Sequence, residues 1–457
     1  MLDALKPPGG MEMLRIVNYK GSNIPTWVKD LGLFQQQLTE LHLIGCTMCE
    51  DFPEFSHMRV LQVLHLKKLY KLRSLCRNRA FMEFSALKEL KLCDLKSLER
   101  WVATEANGDE VTFPVLEKIC IEDCPKLTTL PEAPTIKVVK IREDKAQLSL
   151  SLISSRCMSS LSVLELLVRG TEAALELDQN QELSITEMNI TGCGFLFASS
   201  PSRHIVGIWK WFGQLQALEI RSCSSVIYWP DEEFLSLVSL TKLKFLWCSK
   251  LTGRAQVNGV ATRARDELLP QLKELEIHTC ESLTELFVLP RSITHIRIDG
   301  CRSFEWGKDD TAESMSVQVG HGNDLTTTTR APEQLQGSTK SLHCLESLYI
   351  RGSDKLATLP NIPPSLKDLS VNHCPELRSI SGHLDALVDV GIGSCNKLES
   401  PEWGNMRALK DFGLLRCKRL TSLPGSLGSY SALTSVHVKY CPAINMKPLY
   451  EHLSQKA

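Results

Sequence analysis

Leu366-Lys367-Asp368-Leu369-Ser370-Val371-Asn372-His373-Cys374 is followed by Leu387-Val388-Asp389-Val390-Gly391-Ile392-Gly393-Ser394-Cys395. The same frame returns as Leu409, Phe412, Leu414, Cys417 and again as Leu433, Val436, Val438, Cys441. Each copy reads L-x-x-L-x-L-x-x-C, with any aliphatic residue or Phe at L. Its L-x-L centre alternates with period two, which describes a short strand with one buried face. Such a strand cannot bury its leucines alone. The four cysteines lie 21, 22 and 24 residues apart, so each copy can cover the next by stacking on it.

Outward from this stretch the template matches at Leu38, Leu41, Leu43, Cys46 and at Leu116, Ile119, Ile121, Cys124. It matches again at Leu215, Leu218, Ile220, Cys223, at Leu240, Leu243, Phe245, Cys248 and at Leu272, Leu275, Ile277, Cys280. Ile293, Ile296, Ile298, Cys301 give a further copy, degenerate ones start near Met11, Leu61, Leu87, Leu161 and Leu345, and weaker ones near Ile136 and Ile185. The fold class this predicts is α/β, a leucine-rich-repeat solenoid of horseshoe form. A parallel β-sheet is expected on its concave side and an irregular, partly helical return path on the convex side. Residues 1–457 read as a single array of about seventeen repeats. Within it, 302–341, with Thr326 to Thr329 and few apolar residues, is expected to be a mobile insertion. A smaller insertion, Thr252 to Glu267, carries Arg254, Arg263 and Arg265 and is expected to be helical in part. Residues 442–457, with Ile444, Leu449, Tyr450 and Leu453, are expected to form a C-terminal helical cap.

Composition agrees with a folded, neutral protein. Of 457 residues 43% are hydrophobic and 23% charged, with 52 Lys and Arg against 53 Asp and Glu, so no global field favours nucleic acid or anionic membrane. No run approaches the roughly 18 apolar residues that span a bilayer. Met1-Leu2-Asp3-Ala4-Leu5-Lys6-Pro7-Pro8 lacks the basic and apolar regions of a secretory signal, so the expected location is the cytoplasm or nucleus and not the secretory route. The sequon Asn189-Ile190-Thr191 has no signal peptide to give it meaning.

Eleven of the 17 cysteines (46, 124, 193, 223, 248, 280, 301, 374, 395, 417 and 441) occupy one template slot. A slot just past the strand, where the chain bends inward, suits a small apolar side chain, so these are expected to be structural thiols rather than disulfides. Cys46-Thr47-Met48-Cys49 is the one C-x-x-C, and no second ligand pair stands at zinc spacing, so no metal is expected. Gly300 to Gly307-Lys308 departs from a phosphate-cradling loop in spacing, and Asp309 follows the lysine. With no serine-elbow, zincin or kinase signature either, neither a cofactor nor an enzymatic activity is expected.

What the template leaves free is the row of x residues on the strand face opposite the core. The central x residues run Glu219, Lys244, Glu276, Arg297, Tyr349, Ser370, Gly391, Gly413, His437. Arginine beside aromatic residues is typical of interface hot spots. The candidate protein contacts are therefore Arg221, Lys244, Trp247, Glu276, His278, Arg297, Tyr349, Arg351, Asn372 and His437. Histidines such as His42 and His295 also fall at outward positions. Gly391, Gly393 and Gly413 leave bare backbone, either to admit a partner or to relieve strand crowding.

Several blocks resemble one family. They are Leu2-x-x-Leu5-x-Pro7, Met11-x-x-Leu14-x-Ile16-x-x-Tyr19-x-Gly21 with Ile24-Pro25-x-Trp27, and Phe84-x-x-Leu87-x-x-Leu90-x-Leu92 with Leu95, Leu98 and Trp101. Phe113-Pro114-x-Leu116, the Leu-Pro pairs at 130, 359 and 423, and Cys-Pro at 124, 374 and 441 extend the likeness. The chain resembles the leucine-rich-repeat region of plant intracellular nucleotide-binding disease-resistance proteins of the coiled-coil class. The resemblance implies recognition of a pathogen effector, directly or through a guarded host protein, and restraint of a nucleotide-binding module. The coiled-coil and nucleotide-binding modules are not in this sequence, so no nucleotide residues carry over. A ubiquitin-ligase substrate adaptor is the alternative, and it would bring an F-box and regular repeats that are not seen. An extracellular receptor ectodomain would bring capping cysteine pairs and L-x-G-x-I-P repeats.

Overall fold

The structure is a computed structural model. It describes residues 10–29, 37–50, 52, 55, 58–76, 84–102, 113–131, 133–144, 160–168, 183–197, 208–254, 256–257, 260–261, 268–306, 342–400, 406–423 and 432–447. The chain divides into two compact units. The first comprises Met1–Ser225 and Glu232–Leu240, the second Val226–Asp231 and Thr241–Ala457.

In the first unit nine described strands form one parallel ladder: β1 Met13–Val17, β2 Glu40–Ile44, β3 Val63–Lys67, β4 Glu89–Cys93, β5 Lys118–Glu122, β6 Val138–Glu143, β7 Val163–Val168, β8 Glu187–Thr191 and β9 Ala217–Arg221. Each pairs with the next in unbroken register. The second unit repeats this with β10 Lys242–Leu246, β11 Glu274–His278, β12 His295–Asp299, β13 Ser347–Arg351, β14 Asp368–Asn372, β15 Asp389–Gly393, β16 Asp411–Leu415 and β17 Ser435–Lys439. Both units are solenoids of stacked coils, and the L-x-L residues are what they stack: Leu41, Leu43, Leu64, Leu66, Leu275, Ile277, Val371 and Val390 are fully buried. On β1 and β17 the equivalents Leu14, Ile16, Val436 and Val438 are only half-buried, since each of these strands pairs on one side among the described residues.

After the strand the chain turns through one left-handed residue, for example Asn18, Asp123, Trp247, Thr279 and His373, or Gly at 45, 192, 300 and 352. The turn lets that residue's N–H reach the next coil's last strand carbonyl, as in Asn18 to Ile44 (2.7 Å), Trp247 to His278 (2.9 Å) and His373 to Gly393 (2.8 Å). The cysteine slot comes next. Cys124, Cys193 and Cys395 each donate through Sγ to the carbonyl two residues back, at 3.4 Å, and to a strand carbonyl of the preceding coil, Leu92, Leu166 and Val371. A weak donor suits carbonyls that already accept a stronger bond, which gives the sulfur a reason beyond its size. All cysteines of the slot are free and buried apart from half-buried Cys441, and Cys344 is exposed.

Little helix returns the chain. Among the described residues it amounts to single turns at Thr26–Lys29 and Asp231–Phe234 and 3-10 turns at Gly194–Leu196 and Ile208–Phe212. The partly helical return path expected from the sequence is thus mostly turns and extended chain, including the parallel pairs Ser74–Cys76 with Arg100–Val102 and Thr358–Ile362 with Ser379–Gly382. Where the smaller insertion was expected to be helical, its described part is an antiparallel hairpin, Gln256–Val257 with Val260–Ala261, consistent with β-branched Val257 and Val260. The larger insertion begins later than its composition implies. Phe304 is 1% exposed, and Glu305 N–H bonds the Thr284 carbonyl (2.9 Å), so 302–306 are part of a coil. Residues 307–341 and 448–457, which carry the expected mobile excursion and most of the expected cap, lie outside the described residues.

Candidate protein-recognition face

Strict register turns the alternating pattern into rows. In the second unit the central outward row is Lys244, Glu276, Arg297, Tyr349, Ser370, Gly391, Gly413, His437, each beside the next. Lys244 pairs with Glu276 at 3.1 Å, and Glu276 also meets His278 at 3.5 Å. Burial works against the Glu276 charge, but the Lys244 ammonium and the His278 ring outweigh it and hold the carboxyl below its usual range. The Arg297 guanidinium lies 4.0 Å from the centre of the Tyr349 ring and 3.5 Å from Asp299. Arg351 is exposed on the next strand, with no ion pair among the described residues. Asn372 donates to Ser370 Oγ at 3.0 Å.

Seven of the sequence candidates therefore gather on five neighbouring strands, Lys244, Glu276, His278, Arg297, Tyr349, Arg351 and Asn372. Trp247 stands off the strand end, 53% exposed at φ 57°. A bulky side chain in the left-handed region costs about 1–2 kcal/mol, and the equivalent turns at Gly300 and Gly352 avoid that cost. His437 is exposed on β17, four strands beyond Tyr349. Arg221 belongs to the first unit, where its Nε is paired with Glu219.

Two of the three glycines of this face, Gly391 and Gly413, are not a response to crowding, whereas a Cβ on Gly393 would overlap the Asn372 side chain. A Cβ on Gly391 would come no closer than 3.8 Å to Ser370 Oγ, and one on Gly413 no closer than 3.8 Å to the Val390 carbonyl. Neither has a left-handed backbone, so an alanine would fit at either. Beside this bare strip Asp368, Asp389 and Asp411 stand in register. Burial, and then the charges of Asp411 and Asp368, push the Asp389 carboxyl above its usual range. Because the folded state holds this proton more tightly than the unfolded chain, stability falls as pH rises through that raised pKa. Asp389→Asn is accordingly expected to raise the urea midpoint at pH 7 and to leave it unchanged at pH 3, where both forms are neutral. A midpoint at pH 7 equal to or below that of the parent chain would contradict this.

Sequence reasoning missed two arrangements in the first unit. One is a depression of about 310 Å³ lined by Lys140, Arg142, Glu165, Leu167, Asn189, Thr191 and Arg221. Lys140 pairs with Glu165 at 2.7 Å, and Arg142 reaches Glu122 only at 3.9 Å. Two of its strands, those carrying Lys140 and Asn189, come from the weakest copies, near Ile136 and Ile185. The other is a histidine pair, with His42 Nδ1 3.4 Å from His65 Nδ1 and the rings edge to face. His65 is the central x of Leu61-x-x-Leu64-x-Leu66, and that spacing was the signal for it. Burial, with Lys91, His42, Lys67 and Arg15 adding to it, lowers the His65 pKa to about 4.

Among the described residues no three His, Cys, Asp or Glu side chains are placed to hold a metal ion. In the C-x-x-C, Cys49 is pushed up to about 11 by burial and by Cys46, which disfavours the thiolate a metal needs. Among the same residues no helix is long and apolar enough to cross a membrane.

Comparison with known proteins places these repeats. Residues 1–69 match the family model described as R13L1/DRL21 LRRs. The disease resistance RPP13-like protein 1 of Arabidopsis thaliana is 28% identical over 142 residues, which is 29% of this chain and 13% of that protein. The disease resistance protein RGA1 of Solanum bulbocastanum is 26% identical over 164 residues, 36% of this chain and 16% of that protein. Another Arabidopsis thaliana disease resistance protein is 23% identical across 86% of this chain and 31% of its own length. The chain thus spans less than a third of each of these relatives. Among solved structures, the TLR13–ssRNA13 complex gives a TM-score of 0.35 at 13% identity over 93% of this chain and 72% of that one. YopM from Yersinia enterocolitica gives 0.27 at 15% identity over 95% and 88%. With its ladder of in-register coils the chain is a leucine-rich-repeat array, and its repeats are similar in part to those of plant disease resistance proteins.

Proposed function

We propose that the array is a non-catalytic recognition element of a plant immune receptor. It binds a pathogen effector, or a host protein that the effector modifies, through the open strand face of the second unit. The observation that carries this is the Arg297 guanidinium stacked on Tyr349, with exposed Arg351 one strand over. Rigid aromatic and guanidinium groups held on a strand ladder lose little entropy on binding. By the same reading the array contributes to autoinhibition by contacting a nucleotide-binding module, and it works in the cytoplasm or nucleus. Neither nucleic acid nor membrane is needed as a partner.

Arg297→Glu with Arg351→Glu tests the assignment. Both side chains leave the core untouched, so circular dichroism and the thermal midpoint should match the parent chain. Recovery of the bound effector or host protein from challenged plant tissue should fall about 30-fold, the scale of two hot-spot residues. Undiminished recovery by a folded double variant would remove this face from the binding site.

A further inference from the structure

The first four coils of the first unit carry a basic strip distinct from the face just described. Register places Arg15, His42, His65 and Lys91 side by side on β1 to β4, and Lys67 flanks His65 on its own strand. None of Arg15, Lys67 and Lys91 has an ion pair among the described residues. On the later strands of the same unit every outward cation has one: Lys118 with Glu89 (2.9 Å), Lys140 with Glu165 (2.7 Å), Arg142 with Glu122 (3.9 Å), and Arg221 with Glu219. The strip therefore departs from the cross-strand compensation that the rest of the ladder uses.

The imidazoles sharpen the point. His42 Nε2 lies 3.5 Å from Glu40, and its Nδ1 shares a proton position with His65 Nδ1 at 3.4 Å. His65 Nε2 is left buried with no hydrogen-bond partner. A buried polar atom without a partner is costly unless a ligand supplies one. We propose that this strip is a docking surface for an acidic polypeptide segment in extended conformation. Its carboxylates would meet Lys91, Lys67 and Arg15 and accept a hydrogen bond from a protonated His65.

The dimensions fit. Four strands at about 4.8 Å spacing span about 14 Å, which an extended chain covers in about five residues. Alternate residues of such a segment fall on one side, so carboxylates at its first, third and fifth positions would reach successive cations. Nucleic acid is disfavoured by the same surface. No Phe, Tyr or Trp stands among the outward residues of β1 to β4 to stack a base, and the carboxylates of Glu40 and Glu89 flank the strip.

Proton linkage gives the docking a signature. The groups facing His65 are Lys67 on its own strand, His42 and Glu40 on β2, Lys91 and Glu89 on β4, and Arg15 on β1. Free, the ring is neutral near pH 7 because burial and these cations oppose its charge. A bound carboxylate reverses that balance, so docking takes up a proton and tightens as pH falls.

The test is fluorescence anisotropy of the full chain with a labelled Glu-Ala-Glu-Ala-Glu peptide. Lys-Ala-Lys-Ala-Lys and a single-stranded oligonucleotide serve as the other arms. The acidic peptide should bind, severalfold more tightly at pH 6 than at pH 7.5, and His65→Asn should abolish that difference. Lys67→Glu with Lys91→Glu should weaken binding about tenfold. If that pair unfolds the chain, Lys67→Gln with Lys91→Gln should do the same to a smaller degree. Arg297→Glu with Arg351→Glu should leave it unchanged, which separates this surface from the second unit's face. Absence of acidic-peptide binding, binding undiminished in the folded lysine variants, or tighter binding of the oligonucleotide would each overturn the proposal.

Discussion

Trp229→Ala is expected to destabilise the second unit by about 3–5 kcal/mol, the usual range for emptying a buried tryptophan site. The indole is 4% exposed and meets Phe245 and Phe287 edge to face, both at 5.2 Å between ring centres. Its Nε1–H donates to the Glu285 carbonyl at 3.0 Å. Truncation therefore removes packing and leaves a carbonyl unpaired, two costs that add at one position. Urea titration followed by far-ultraviolet circular dichroism measures the loss, and Trp229→Phe should recover all but about 1–2 kcal/mol of it. A loss below about 1 kcal/mol for the alanine variant would mean that these coils do not depend on the aromatic cluster that joins them.

Gly382→Ala, a single added methyl group, is expected to cost about 2–5 kcal/mol, adding the left-handed penalty to that of forced displacement. Gly382 has φ 134° and ends the strand Ser379–Gly382, whose pairing with Thr358–Ile362 shifts register between Leu359 and Ile362. A Cβ there would overlap the backbone of Ile362, with its Cα 2.7 Å away. Backbone cannot swing aside as a side chain can, so the strand pair must separate. Differential scanning calorimetry of the alanine variant decides the matter. Gly391→Ala, on the strand that follows, where a Cβ meets nothing nearer than Ser370 Oγ at 3.8 Å, is the control that should leave the midpoint unchanged or raised.

How much of this was legible from the residues follows from what each feature depends on. The strands were, because L-x-L alternation is a local consequence of one-sided burial and recurs at Leu41-x-Leu43 as at Val371 and Val390. The cysteine slot was also legible as a structural position. Its double donation to carbonyls was not, because one acceptor belongs to the neighbouring coil. Tyr349, Arg297 and Arg351 could be placed on one face by counting, and the structure adds the guanidinium–ring contact. His65 and Lys140 escaped notice because their coils keep the aliphatic frame but lack its closing cysteine, with Leu69 and Asp144 in that slot, although register treats them like any other. Trp247 could be named as an aromatic residue, but its left-handed backbone becomes visible only when the turn is aligned with those at Gly300 and Gly352. The hairpin at Gln256–Ala261 was lost to an expectation of helix that rested on nearby arginines rather than on any period.

The buried thiols turn the chain into its own set of gauges. Cys124 and Cys193 are pushed up to about 12 by burial, and Cys417 to about 11, so in the closed state an alkylating reagent finds neither access nor thiolate. Among the described residues exposed Cys344 reacts first, and half-buried Cys441 follows. At the slots whose thiols burial has raised, the rate of modification reports how often that coil opens. Mass spectrometry of a partly alkylated sample would thus read local breathing along the array, with no probe added by mutation.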